Sequence, residues 1–385
     1  MVTLGLFLLL LQAPSPEAIE HAQAGAAAEA AGRYDEAIAE FRREIDLAPT
    51  LASGYASLGG VYFRKGDYNS AIPVLERALQ LSPDLTATHQ ILGVALLVEG
   101  NAAAALPHLE KAPVPELLGL AYYETHQPGP ALTSFQMALQ KKPDDPDLLY
   151  YFGHAAASAA QQAFDRYAKV AKDPLPAEMK VTISDLEPIE KALIDKPDDP
   201  ERLGRFARAT ASASKQAFDQ LIEAHADSGR AHQVAAERFT ADGKIQEAEK
   251  EYAESIRLQP GASGVHLAFG RLLVMAGDFP HAIAEFHAES NLRPLGAEPY
   301  YQAGSTLMQL GRPKEALPLL TRADQLAPGN QATLLAISRA AAATGDAQLA
   351  ERALRQSLHA ANSGDQTAEA REAIDALNRA KDKTK

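Results

Sequence analysis

The chain has no cysteine and no tryptophan among its 385 residues. Without thiols, disulfide staples, thiolate zinc sites and a cysteine nucleophile are all excluded, while the lack itself fits any redox compartment. Aromatic residues make up only 6%, and much of the 46% hydrophobic content is alanine. That composition suits closely spaced helices better than a deep globular core. Positive charge is also short: 37 Lys and Arg against 50 Asp and Glu give a formal net charge of −13. Nonspecific attraction to nucleic acid or anionic lipid needs a basic face, so neither partner is expected. No apolar run approaches the roughly 20 residues that cross a bilayer, so no membrane insertion is expected. A phosphate-cradling glycine loop, a nucleophile elbow and a kinase-type signature are missing as well. No catalytic, cofactor-binding or metal-ligating residue is therefore assigned, no cofactor is implied, and an enzyme built from this chain alone is not expected.

What the chain does have is a period. Units starting at Gly229, Ser263, Ala297 and Gln331 follow one another at a constant interval, and stacking them aligns several columns. Gly243, Gly277, Gly311 and Gly345 form a glycine column that lets a first helix end through positive φ. Ala248, Ala282, Ala316 and Ala350 follow, then Tyr252, Phe286, Leu320 and Leu354 one turn on, so a small and a large residue share one helix face. Pro260, Pro294 and Pro328 close the units, with Asn362 breaking the column. In the first helices, Ala236, Gly270, Gly304 and Ser338 keep small residues where two helices touch. The columns recur upstream: Tyr55, Leu58, Gly59, Tyr62, Gly66, Tyr68, Ala71, Leu75, Ala78 and Pro83 make a full copy.

These columns resemble the tetratricopeptide repeat. The resemblance implies an all-α solenoid of helix-turn-helix units coiled into a right-handed superhelix that binds peptides or protein segments on its concave side. On this basis residues 1–15 are a signal peptide or N-terminal apolar segment, and 16–145 an N-terminal array of about four repeats, the third shortened near Ala112 to Pro115. Residues 146–228 form a divergent helical segment joining the arrays, 229–364 a C-terminal array of four repeats, and 365–385 a capping helix with a basic tail. In the divergent segment Lys142–Pro146 recurs as Lys196–Pro200 and Gln162–Asp165 as Gln216–Asp219, both at the same offset, which marks a duplicated block. Both copies lack the turn glycine, which predicts helices fused through Ala155–Ala163 and Ala209–Ala217; Lys180–Ser184 between them reads as extended.

The apolar run Leu4–Leu11 has the length of a signal-peptide core, which predicts export to the periplasm or outside the cell. No Lys or Arg precedes it and Gln12–Pro16 offers no clean cleavage site, so a cytoplasmic chain with a packed first helix is the alternative. The histidines lack metal-ligand spacing: His21, His89, His232 and His266 fall at the fourth position of a unit, where Tyr55 and Tyr300 stand elsewhere, and read as fillers of an aromatic packing site. Asp144, Asp145, Asp198 and Asp199 read as turn residues and N-caps.

The family's concave face is lined by positions 2, 5, 6, 9, 12 and 13 of each unit. Carried over, the C-terminal groove offers Arg230, Gln233, Glu237, Arg271, Met275, Tyr301, Gln302, Ser305, Met308 and Arg339. Its three arginines are candidate carboxylate anchors, or else partners for local acids such as Glu237 and Glu298. The N-terminal groove offers Ile91, Val94, Leu97 and Tyr123, apolar enough for an amphipathic helix of a partner, or core where the short third unit closes the groove. Chaperone-binding members carry a lysine and asparagine clamp that this chain lacks. The expected function is a noncatalytic protein-interaction scaffold or adaptor holding a partner in its groove. The other reading is an accessory or regulatory subunit of an envelope enzyme complex, glycan-handling or proteolytic.

Overall fold

The computed structural model describes residues 14–171 and 186–360. Within them every regular element is an α-helix. The segment 1–13, with the signal-peptide run, the stretch Lys180–Ser184 and the basic tail 365–385 lie outside the described residues.

The chain falls into two compact units, Met1–Leu97 with Ala103–Leu117, and Val98–Ala102 with Leu118–Lys385. In the first, α1 (Pro16–Ala30) pairs with α2 (Tyr34–Leu47), α3 (Ala52–Lys65) with α4 (Tyr68–Leu81), and α5 (Thr86–Val98) is followed by α6 (Ala102–Lys111). The second begins with α7 (Pro115–Glu124) and α8 (Pro128–Leu139), continues through α9 (Pro146–Val170), α10 (Leu186–Asp195) and α11 (Pro200–Ala224), and ends in four regular pairs. These are α12 (Gly229–Ala241) with α13 (Ile245–Leu258), α14 (Val265–Ala276) with α15 (Phe279–Leu292), α16 (Ala297–Gln309) with α17 (Pro313–Leu326), and α18 (Gln331–Thr344) with α19 (Ala347–Ala360).

One packing rule builds most pairs. A small residue in the first helix faces a bulky residue at a fixed place in the second. A Cβ on Gly270 would stand 2.5 Å from the Phe286 ring, and one on Gly304 would stand 2.7 Å from Leu320. Gly59 with Leu75, Gly93 with Leu109 and Gly119 with Phe135 repeat the arrangement. Phe286, Leu75, Leu109, Leu320 and Phe135 are consequently buried completely. Helix starts are capped where the sequence supplies an acceptor: Asp67 takes the Ser70 amide at 3.1 Å and Asn330 takes that of Thr333 at 3.1 Å. The turn glycines sit in the left-handed region, as at Gly66 with φ 78°. His126, with φ 59°, takes that role in the fourth pair, the one non-glycine with positive φ among the described residues.

The divergent segment is held by its own duplication. Helices α9 and α11 each run unbroken for 25 residues, capped by Asp145 and Asp199 on the amides of Leu148 and Arg202. Arg166 donates to the Pro197 carbonyl and to Asp198, while Gln220, its counterpart in the second copy, donates to the Pro143 carbonyl and to Asp144. Pro143 and Asp144 are themselves the first-copy counterparts of Pro197 and Asp198. The copies therefore grip each other reciprocally, as the two halves of an isologous dimer do.

Candidate functional site

The concave positions of the C-terminal array are not equally available. In its first unit they are occupied by α9. Arg230 and Gln233 of α12 are 2% and 1% exposed, because Asp147, Tyr150, Tyr151 and His154 lie across them. The Arg230 Nε donates to Asp147 Oδ1 at 2.6 Å, Nη2 to the Tyr151 hydroxyl at 2.8 Å, and Nη1 to Gln233 Oε1 at 2.7 Å. Its guanidinium carbon also stands 4.6 Å and 4.8 Å from the ring centroids of Tyr150 and Tyr151. Burial alone would lower the Arg230 pKa, but Tyr151, Asp147 and Tyr150 outweigh it and the group is held more firmly charged. Glu237 accepts from the Tyr150 hydroxyl at 2.8 Å, and its Oε2 stands 2.9 Å from His154 Nε2. Burial, then the nearby Glu237 carboxylate, pushes the Tyr150 hydroxyl well above the ordinary phenol range. Of the sequence-predicted groove residues, Arg230 and Gln233 are thus buried in an internal contact, and Glu237, partly exposed, is tied to the same cluster.

Beyond that unit the groove opens. A cleft of about 480 Å³ runs between α16 and α18, and Tyr301, Ser305, Met308 and Arg339 from the predicted set line it together with Leu335. All five are at fifth, ninth or twelfth positions of their units, so the carried-over pattern leads to one continuous surface. Gln302 donates to Glu298 at 2.7 Å, and the same carboxylate oxygen accepts from Arg271 at 2.7 Å. The Arg271–Glu298 pair is half-exposed. Met275, one turn beyond Arg271, is 66% exposed.

In the N-terminal set, Ile91 and Val94 are half-buried and Leu97 is buried. Tyr123 packs its ring 5.6 Å from that of Tyr151 and lies half-buried against the core cluster to which Tyr151 belongs. Burial raises its hydroxyl pKa far out of the physiological range. Val98–Ala102 packs on the loop after α15: Leu295 donates to the Glu99 carbonyl at 2.7 Å, and a Cβ on Gly100 would meet the Gly296 nitrogen at 2.9 Å. Nearby, Arg293 donates to Glu124 and to Ser263.

The histidines play a part that the repeat columns hid. His21, His232 and His266 each place Nδ1 2.6 Å from a glutamate of the second helix, Glu40, Glu251 and Glu285 respectively. They are polar clasps between the two helices of a unit and not aromatic fillers. In the third unit the place of the glutamate is held by His108, and its Nδ1 lies 2.7 Å from that of His89. The signal was available: where the fourth position is Tyr55 or Tyr300, the matching place in the second helix is the aliphatic Val74 or Leu319. Among the described residues no group of three or more His, Asp and Glu could hold a metal ion, and no helix is long and apolar enough to cross a membrane.

Comparison with known proteins agrees with the repeat. A family model described as tetratricopeptide repeat matches residues 52–85, and another of the same description matches 267–331. No curated protein matches. Among solved structures, the chain is similar to the APC/C hetero-tetramer Cut9–Hcn1, at 15% identity over 96% of this chain and 84% of that one, with a TM-score of 0.37. It is similar to yeast Tom70 at 16% identity over 95% and 96%, TM-score 0.32. A third, YrrB, described as a TPR protein with an unusual peptide-binding site, shares 18% identity over 49% of this chain and 99% of its own, TM-score 0.36. Likeness at this level transfers no function.

Proposed function

The chain is a tetratricopeptide-repeat protein, a protein-interaction scaffold built as an all-α solenoid, and from that premise we propose that it acts without catalysis by holding a partner's peptide segment on the inner face of α14, α16 and α18. The observation that carries this is the cleft between α16 and α18, whose lining mixes Tyr301, Met308 and Leu335 with the polar Ser305 and Arg339. A concave surface with an apolar floor and a few convergent polar groups is the usual form of a ligand site. The first unit of the array is filled by α9, which confines the partner to the last three. We also place the protein in the exported class, on the strength of the apolar run Leu4–Leu11 alone; N-terminal sequencing of the mature protein decides that point, and an intact Met1 refutes it.

The groove reading is tested by a photocrosslinking residue placed at Ser305 on the inner face or at Lys314 on α17, in the full chain, exposed to extract of its native host. Discrete partner peptides captured from position 305 and not from 314 are expected. Equal capture from both positions, or capture from 314 alone, contradicts it.

A further inference from the structure

We propose that the segment taken by this groove is acidic, with two carboxylate side chains flanking a bulky apolar residue. One acid meets Arg271, the apolar residue enters the cleft against Tyr301, Met308 and Leu335, and the second acid meets Arg339. This rests on the reading of α14, α16 and α18 as the binding face.

Three observations carry it. First, the arrangement of charge: Arg271 on α14 and Arg339 on α18 both hold the ninth position of their units, with α16 between them. A single chain-terminal carboxylate cannot reach two such anchors, whereas acidic side chains spaced along a segment can. Guanidinium groups pair with carboxylates through two parallel hydrogen bonds, which fixes orientation as well as charge.

Second, the chain shows what its own inner wall accepts. In the first unit the occupant of the groove is α9, and it presents a carboxylate, Asp147, followed at one turn by the aromatic pair Tyr150 and Tyr151. An acid with an aromatic side chain one turn away is therefore a combination that Arg230, at the second position of its unit, already grips.

Third, Arg271 is poised for exchange. Its partner Glu298 is half-exposed, and such surface pairs contribute little. Glu298 also accepts from Gln302, so it keeps a partner when an incoming carboxylate takes the arginine. Met275 beside it leaves apolar surface in water for the segment to cover.

The test uses the full chain and three fluorescein-labelled peptides followed by anisotropy: a capped peptide with two glutamates flanking a leucine, its twin with lysines for glutamates, and a peptide without acidic side chains that ends in a free carboxylate. The first should bind saturably and the other two at least roughly tenfold more weakly. Arg271→Glu and Arg339→Glu should each weaken the acidic peptide about tenfold and strengthen its lysine twin, since reversed charge reverses preference. Glu298→Gln should tighten the acidic peptide severalfold by removing the competitor. Arg271→Gln and Arg339→Gln, checked for helix content by circular dichroism, guard against misfolding of the reversed variants. Equal binding of the lysine twin or the free-terminus peptide, indifference to both arginines, or no saturable binding by any of the three overturns the proposal. If that happens while crosslinks from position 305 persist, only the acidic chemistry falls; if those crosslinks are lost too, the groove reading falls with it.

Discussion

Removing the Asp147 carboxylate strands a cation, and the size of the penalty measures how firmly α9 occupies the groove. The Arg230 side chain is 3% exposed and that of Asp147 46%, with 2.6 Å between Nε and Oδ1. Breaking a buried pair by deleting one partner costs roughly 3–5 kcal/mol. Here water can replace the half-exposed carboxylate and Arg230 keeps its bonds to Tyr151 and Gln233, so Asp147→Ala should cost about 2–3 kcal/mol. Part of that, about 0.5 kcal/mol, is loss of an acid from the first turn of α9 and does not depend on Arg230. The discriminating background is Arg230→Met, which removes the charge at similar volume. In it, Asp147→Ala should cost no more than about 1 kcal/mol, leaving a coupling of about 1.5 kcal/mol between the two sites. Because a solenoid need not unfold in one step, the assay is hydrogen exchange of the 147–154 and 229–237 segments alongside urea denaturation. Equal cost of Asp147→Ala in both backgrounds refutes the reasoning.

Backbone and histidine positions give further tests. Gly66 and Gly100 both have positive φ, but an added Cβ meets nothing at Gly66 and the Gly296 backbone at Gly100; Gly66→Ala should cost about 1 kcal/mol and Gly100→Ala clearly more, with loss of exchange protection at the Leu295 amide. His126→Gly should raise stability by roughly 0.5–1 kcal/mol, relieving the left-handed strain against the entropy glycine adds, and a lower melting temperature contradicts it. The hydrogen bond that His266 Nδ1 donates to the Glu285 carboxylate raises the His266 pKa despite partial burial. A folded pKa above the unfolded value near 6.5 means that the clasp stabilises fully below about pH 6.5 and is lost as pH rises through the folded value. Burial, with the His89 and Lys111 charges, lowers the His108 pKa instead, so its contribution is present above the unfolded value and lost on acidification. NMR titration should give midpoints on opposite sides of about 6.5 for His266 and His108; the same side for both contradicts the assignment.

The repeats were legible in the sequence because each unit touches mainly its neighbours, so a period along the chain is a period in space. The glycine and alanine columns translate directly into the pairs Gly270 with Phe286 and Gly304 with Leu320. The family's inner positions likewise led to Tyr301, Ser305, Met308 and Arg339, which share one cleft. What the period could not show is a contact between distant segments that breaks it, such as Asp147 with Arg230. For the same reason three arginines read alike, as carboxylate anchors or as partners of local acids, although Arg230 is buried against α9, Arg271 pairs with Glu298 at the surface and Arg339 lines the cleft. The histidine clasps were hidden for a different reason: a column compares His266 with Tyr300, whereas the glutamate that compensates its charge, Glu285, lies across the unit on the second helix.

The most direct measurement is hydroxyl-radical footprinting of the free protein read by mass spectrometry. Tyr150 and Tyr151, beneath the first unit of the groove, should stay protected while Met275, Met308 and Tyr301 on the open inner face are oxidised. Oxidation of Tyr150 and Tyr151 as readily as of Met275 would contradict a groove that is filled at one end by its own chain and left open at the other.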